Sequence, residues 1–113
     1  MDLPEWAKNF PGSITICDPQ GVILAMNDKS AISYAKDGGL KLIGTNMLDC
    51  HPEPARSKVK EMLDKQILNV YSIEKHGVKK LIYQTPWVED GHYRGFIELA
   101  LEVPFEMPHF VRS

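Results

Sequence analysis

The sharpest pattern in the chain is near its C-terminus, where Ile97, Leu99, Leu101 and Val103 alternate with Glu98, Ala100 and Glu102. A period of two is the mark of a strand with two unlike faces, and it predicts one from about Tyr93 to Val103. Two further runs, Val70 to Lys75 and Leu81 to Val88, precede it. His76-Gly77 and Glu89-Asp90-Gly91-His92 are the turns between them, which gives three consecutive antiparallel strands. At the other end, Ile14 and Ile16 alternate with Thr15 and Cys17. Asp18-Pro19-Gln20-Gly21 then supplies turn residues, and Val22 to Met26 returns as the second arm of a hairpin.

Between these two strand groups the period changes. Leu3, Trp6, Ala7 and Phe10 recur at helical spacing ahead of Pro11-Gly12, and a stripe on so short a helix must pack on the domain's own sheet or on a second subunit. Asn27 or Asp28 is placed to cap a short helix over Lys29 to Ala35, which Asp37-Gly38-Gly39 breaks. A helical turn or two around a loop is expected in Leu40 to Cys50. Pro52 and Pro54 open the longest helix, expected at about residues 53 to 66, with Ala55, Val59, Met62 and Leu63 as its buried stripe.

Composition narrows what such a chain does. It has 113 residues, 43% hydrophobic and 25% charged, with a formal charge of −2, as expected of one soluble cytoplasmic domain with a continuous core. No basic footprint for nucleic acid is present. No apolar run approaches the roughly 20 residues of a membrane span, and the N-terminal residues lack the pattern of a signal peptide. Cys17 and Cys50 are too few and too far apart for a disulfide scaffold and are expected as reduced thiols. His51, His76, His92 and His109 are scattered, without the spacing of a zinc site.

Two strands, several short helices, a longer helix and three strands form an α+β domain: a five-stranded antiparallel sheet with helices on one face and a short N-terminal flanking helix. This order, in about 100 residues, resembles a PAS domain. Asp18-Pro19-Gln20-Gly21-Val22-Ile23 through Asn27 resembles the family's opening hairpin. Leu42-Ile43-Gly44-Thr45-Asn46-Met47-Leu48 resembles the stretch before its long helix, and Tyr93-Arg94-Gly95-Phe96-Ile97 the "Y-x-G" entry to its last strand. Asp49-Cys50-His51-Pro52 is similar to a bacterial PAS subgroup with "CHP" at this point. The resemblance covers residues 13 to 103, with 1 to 12 as the N-terminal helix and 104 to 113 as a C-terminal tail.

The resemblance implies a sensory domain in signal transduction that binds a small molecule or a signalling protein, and not an enzyme. Light-sensing relatives carry a cysteine directly after the motif asparagine; Met47 stands there, which excludes flavin photochemistry. No bound cofactor is expected. Haem is the alternative, with His51 as axial ligand and Met62 as a soft second one, and a small isomerase-like enzyme is a third reading. The pocket is expected to be walled by Met47, Cys50, His51, Val59, Met62 and Leu63, with Tyr83, Thr85, Trp87 and Leu99 from the strands. Glu98 and Glu102, sharing a strand face, read as solvated surface. Leu3, Trp6, Phe10, Phe105 and Phe110 are the expected contacts of a homodimer.

Overall fold

The computed structural model describes residues 1–113. Its strands are β1 (Ser13–Cys17), β2 (Ile23–Met26), β3 (Asn69–Lys75), β4 (Val78–Glu89) and β5 (His92–Val103), and its α-helices are α1 (Glu5–Lys8), α2 (Asp28–Ser33) and α3 (Ala55–Lys65). Three turns of 3-10 helix, Ala35–Asp37, Gly39–Leu42 and Met47–Cys50, link α2 to α3. The sheet is antiparallel with strand order β2-β1-β5-β4-β3. The last strand therefore lies at the centre, beside the first. The connection from β2 to β3 must cross from one edge of the sheet to the other, and the helices it carries cover one face.

Each PAS-like motif has a local physical cause. In the β1–β2 turn, Asp18 Oδ1 accepts from the backbone N–H groups of Gln20 and Val22, each at 2.9 Å, the side chain standing in for a backbone turn. Asn46 accepts from Leu48 N–H and donates to the Gln20 carbonyl, both at 2.9 Å. Ile23 N–H donates to the Thr45 carbonyl and Gly44 N–H to the Ile23 carbonyl, at 2.9 and 2.8 Å. This segment thus covers the open edge of β2, which would otherwise present unpaired backbone groups.

Gly95 has φ +142, and a Cβ there would stand 1.9 Å from the Cys17 carbonyl oxygen. Only glycine lets β5 approach β1 at that point. Two residues earlier, the Tyr93 hydroxyl donates to the Leu63 carbonyl at 2.8 Å and fastens the end of α3 to the start of β5.

Asn27 joins the two sides of the sheet. Its side chain is fully buried; Oδ1 accepts from Ile14 N–H and Ser30 N–H at 2.9 and 3.0 Å, and Nδ2 donates to the carbonyls of Ala7 and Gly12 at 3.0 and 2.8 Å. Asn27, not Asp28, is therefore the cap of α2.

Several boundaries differ from expectation. α1 is a single turn, because Pro4 holds the extended conformation at its start (ψ 154) and Asn9 leaves the helical region. Ala7 and Leu3 pack against Ile14, Ile16 and Ala25, so the helix seats on its own sheet, on the face opposite α3. α3 starts at Ala55, and Gln66 ends it in the left-handed region at φ 55. Of its predicted stripe only Leu63 is buried; Ala55, Val59 and Met62 are half-buried, because most of the space beneath them is open.

Candidate functional site

The helical connection is held off the sheet, and a cavity of about 360 Å³ lies beneath it. Three walls form it. β1, β2 and β5 supply Thr15, Cys17, Ile23, Met26, Phe96 and Glu98; the segment before α3 supplies Met47, Cys50 and His51; α3 supplies Val59, Met62 and Leu63. Tyr34, Asp37 and Tyr71 are exposed and border its mouth, and Gln84 adds a polar group from β4. The lining is mostly apolar, with a few polar groups that converge, the usual make-up of a small-molecule site.

The polar groups are organised around Glu98. Gln84 Nε2 donates to one carboxylate oxygen at 2.7 Å and the Tyr34 hydroxyl to the other at 3.2 Å. Gln84 is itself oriented by Asn69, whose Nδ2 donates to Gln84 Oε1 at 2.9 Å. Burial, and then the neighbouring Glu98, push the Tyr34 hydroxyl above its ordinary pKa, and the same two causes raise Tyr71. Beside Glu98 on the same sheet wall, Thr15 and Ser30 join hydroxyls. Cys17 is buried and its thiol is pushed up to about 11, chiefly by that burial, so it stays protonated and a poor nucleophile at neutral pH. His51 Nδ1 lies 2.7 Å from the Met47 carbonyl oxygen. Because the carbonyl can only accept, Nδ1 carries the proton there.

Of the residues expected to wall a pocket, the structure brings together Met47, Cys50, His51, Val59, Met62 and Leu63. Tyr83, Thr85, Trp87 and Leu99 are corrected: none is in the lining. Trp87 and Leu99 pack with Ile14 and Ile16 beneath α1. Tyr83 is paired with Leu99 and Thr85 with Ile97, and directly opposed residues point to the same side of a sheet. All four belong to the outer face. Glu98 is corrected in the other direction, from solvated surface to cavity wall.

Thr15, Cys17, Met26, Gln84 and Glu98 were missed as lining residues. A signal for them was present in the Tyr93-Arg94-Gly95 motif. Gly95 brings β5 against β1 at Cys17, so the residue that follows pairs with Cys17, and Glu98 with Thr15. Among the expected dimer contacts, Leu3 is half-buried on the sheet's outer face, while Trp6, Phe105 and Phe110 are 71%, 52% and 68% exposed and Phe10 lies beside Gly12.

The residues do not fit haem well. His51, tied through Nδ1, has the tautomer of an axial ligand. Haem also carries two propionates, and the lining offers them no lysine or arginine, only the like charges of Asp37 and Glu98. No group of three or more His, Cys, Asp or Glu is placed to hold a metal ion, and no helix is long and apolar enough to cross a membrane.

No family model matches the chain, and no curated protein does either. Solved structures do match in shape. The PAS domain of an HTR-like protein from Haloarcula marismortui aligns over 87% of this chain and 91% of its own, with TM-score 0.61 and 14% identity. The PAS domain of BvgS from Bordetella pertussis aligns over 87% and 81%, with TM-score 0.60 and 17% identity. The Aer2 receptor from Vibrio cholerae, described as a dual PAS-heme oxygen sensor, aligns over 82% and 95%, with TM-score 0.57 and 15% identity.

Proposed function

The chain has the PAS fold, and from that premise we propose that it is a sensory module of a signalling protein whose input is a small molecule held in the cavity under α3. The observation that carries this reading is the cavity itself, about 360 Å³ with an apolar lining and a fixed cluster of polar groups at Glu98. A volume at the small end of ligand pockets suits a molecule of one or two rings.

Binding fits the polar groups better than catalysis. An isomerase-like mechanism needs a pocket carboxylate, and Glu98 is one. It also needs a donor aimed at the oxygen where negative charge develops. The Tyr34 hydroxyl and the Gln84 amide are aimed instead at Glu98 itself. The Cys17 thiol, protonated at neutral pH, supplies no nucleophile.

The signal would leave through the outer face of the sheet. Leu99, Leu101 and Val103 are half-buried there, Val70 and Tyr83 are exposed, and Trp6, Phe105 and Phe110 project from the terminal segments. An apolar surface of this kind is the usual core of an interface, and a homodimer through it would link β5 of one cavity to its neighbour.

The first test is an absorbance and native mass spectrum of the purified protein, with and without added haem. A colourless protein that gains no mass from haem and runs at the mass of a dimer supports a diffusible ligand. A Soret band that His51→Ala abolishes would overturn this reading in favour of a haem sensor.

A further inference from the structure

The lining of the cavity narrows the chemistry of the ligand it can hold. We infer that the site selects an apolar ring compound bearing a cationic hydrogen-bond donor, such as a protonated amine, and that Glu98 is the group that receives it. This rests on the reading of the cavity as a ligand site.

Three observations converge. The ionisable groups of the lining include two carboxyls, Asp37 and Glu98, with no lysine or arginine to balance them. Asp37 is exposed at the mouth, while Glu98 stands on the central strand, half-buried among apolar side chains. A carboxylate has about four acceptor sites. Gln84 and Tyr34 occupy one on each oxygen of Glu98, and no cation in the protein pairs with it, since Lys8, Lys60 and Lys65 make the chain's salt bridges elsewhere.

Glu98 accepts hydrogen bonds from neutral donors and has no counter-ion within the chain. A donor that brings positive charge supplies the missing partner, and a ligand that brings negative charge is repelled. Asn69 and Gln84 hold the carboxylate in one place, so little is lost in ordering it. The apolar wall of Met26, Val59, Met62 and Phe96 takes the ring.

A matched set separates charge from shape: tryptamine, indole-3-ethanol and indole-3-acetate share one ring system and carry a cation, a neutral hydroxyl and an anion. Binding to the intact chain is measured by calorimetry and by the shift in melting temperature. Tryptamine is expected to bind more tightly than the alcohol by on the order of tenfold, the usual scale of a charge-assisted hydrogen bond, and the acetate least. Glu98→Gln should remove that preference, so that tryptamine and the alcohol bind alike. Glu102→Gln, on the same strand but outside the lining, should leave all three unchanged. Val59→Trp, which fills the cavity from α3, should abolish binding of the whole set.

Equal binding of all three, abolished by Val59→Trp, overturns the inference but leaves the ligand site standing. A preference for tryptamine that survives in a folded Glu98→Gln variant overturns the assignment to Glu98. No binding of any member at millimolar concentration overturns the inference and the ligand site together.

Discussion

The two faces of β5 look alike in hydrogen bonding and are opposite in use. Ile97 and Leu99 pack on the side covered by α1, where Ile14, Ile16, Ala25 and Ala7 form a buried cluster. Phe96 and Glu98 belong to the side under α3, where the sheet meets open space. By composition the first face looks like the floor of a pocket and the second like solvent-exposed surface. The molecule does the reverse. Its continuous apolar face is used for packing, and its mixed face for a cavity that needs polar groups at fixed points. A strand pattern therefore says which residues share a face and says little about which face carries function.

The contacts that hold the two faces together carry the largest expected effects. Gly95→Ala sets a methyl group against the Cys17 carbonyl at a backbone angle that side chains rarely adopt. It is expected to cost about 4 kcal/mol, in the range reserved for backbone overlap and strain. Asn27→Ala strips four hydrogen bonds from one buried site. It leaves backbone groups of α1, β1 and α2 unpaired and is expected to cost about 3 kcal/mol. Urea denaturation measures both. A loss under 1 kcal/mol at either position would show that the faces are not joined there.

The strand order along the chain, a cap at Asn27 or Asp28, the hairpin turn and the long helix were legible because each is set by neighbours in sequence. The PAS resemblance gathered them into one fold. The cavity was half legible, for a physical reason. Met47, Cys50, His51, Val59, Met62 and Leu63 are clustered within a helix and the turn before it. Thr15, Gln84 and Glu98 meet only because β5 enters the sheet between β1 and β4, a long-range pairing that local pattern does not encode. The same gap misled the reading of Tyr83, Thr85, Trp87 and Leu99. All four point to the outer face of the sheet.

Truncations on the two faces should differ because one face borders empty space already. Ile16→Ala, in the packed cluster under α1, opens a new void and is expected to cost about 3 kcal/mol. Met62→Ala enlarges a cavity that exists, and its half-buried side chain gives up fewer contacts, so about 1 kcal/mol is expected. Equal losses from the two variants would mean that α3 packs as tightly as α1 and that the cavity is closed in solution.

Alkaline pH, with an effect comparable to the Met62 truncation, reads the cavity face. Burial raises Cys17 from its ordinary value of 9.0 to about 11, so the folded protein holds the thiol proton more tightly than the unfolded chain. Stability from this source is complete below pH 9 and is lost as pH rises toward 11, in total on the order of 1–2 kcal/mol once partial solvent screening is allowed for. Tyr93, raised to about 12 by burial, extends the loss above pH 10 with the same sign. Cys17→Ala should flatten the decline between pH 9 and 11 in melting temperature and leave the steeper tyrosine limb above it. Ile14→Val, on the outer face, should lower the whole curve without changing its shape. If Cys17→Ala only lowers the curve, the thiol is already solvated in the folded state, and the wall that holds Cys17 and Phe96 is open to water from the sheet side.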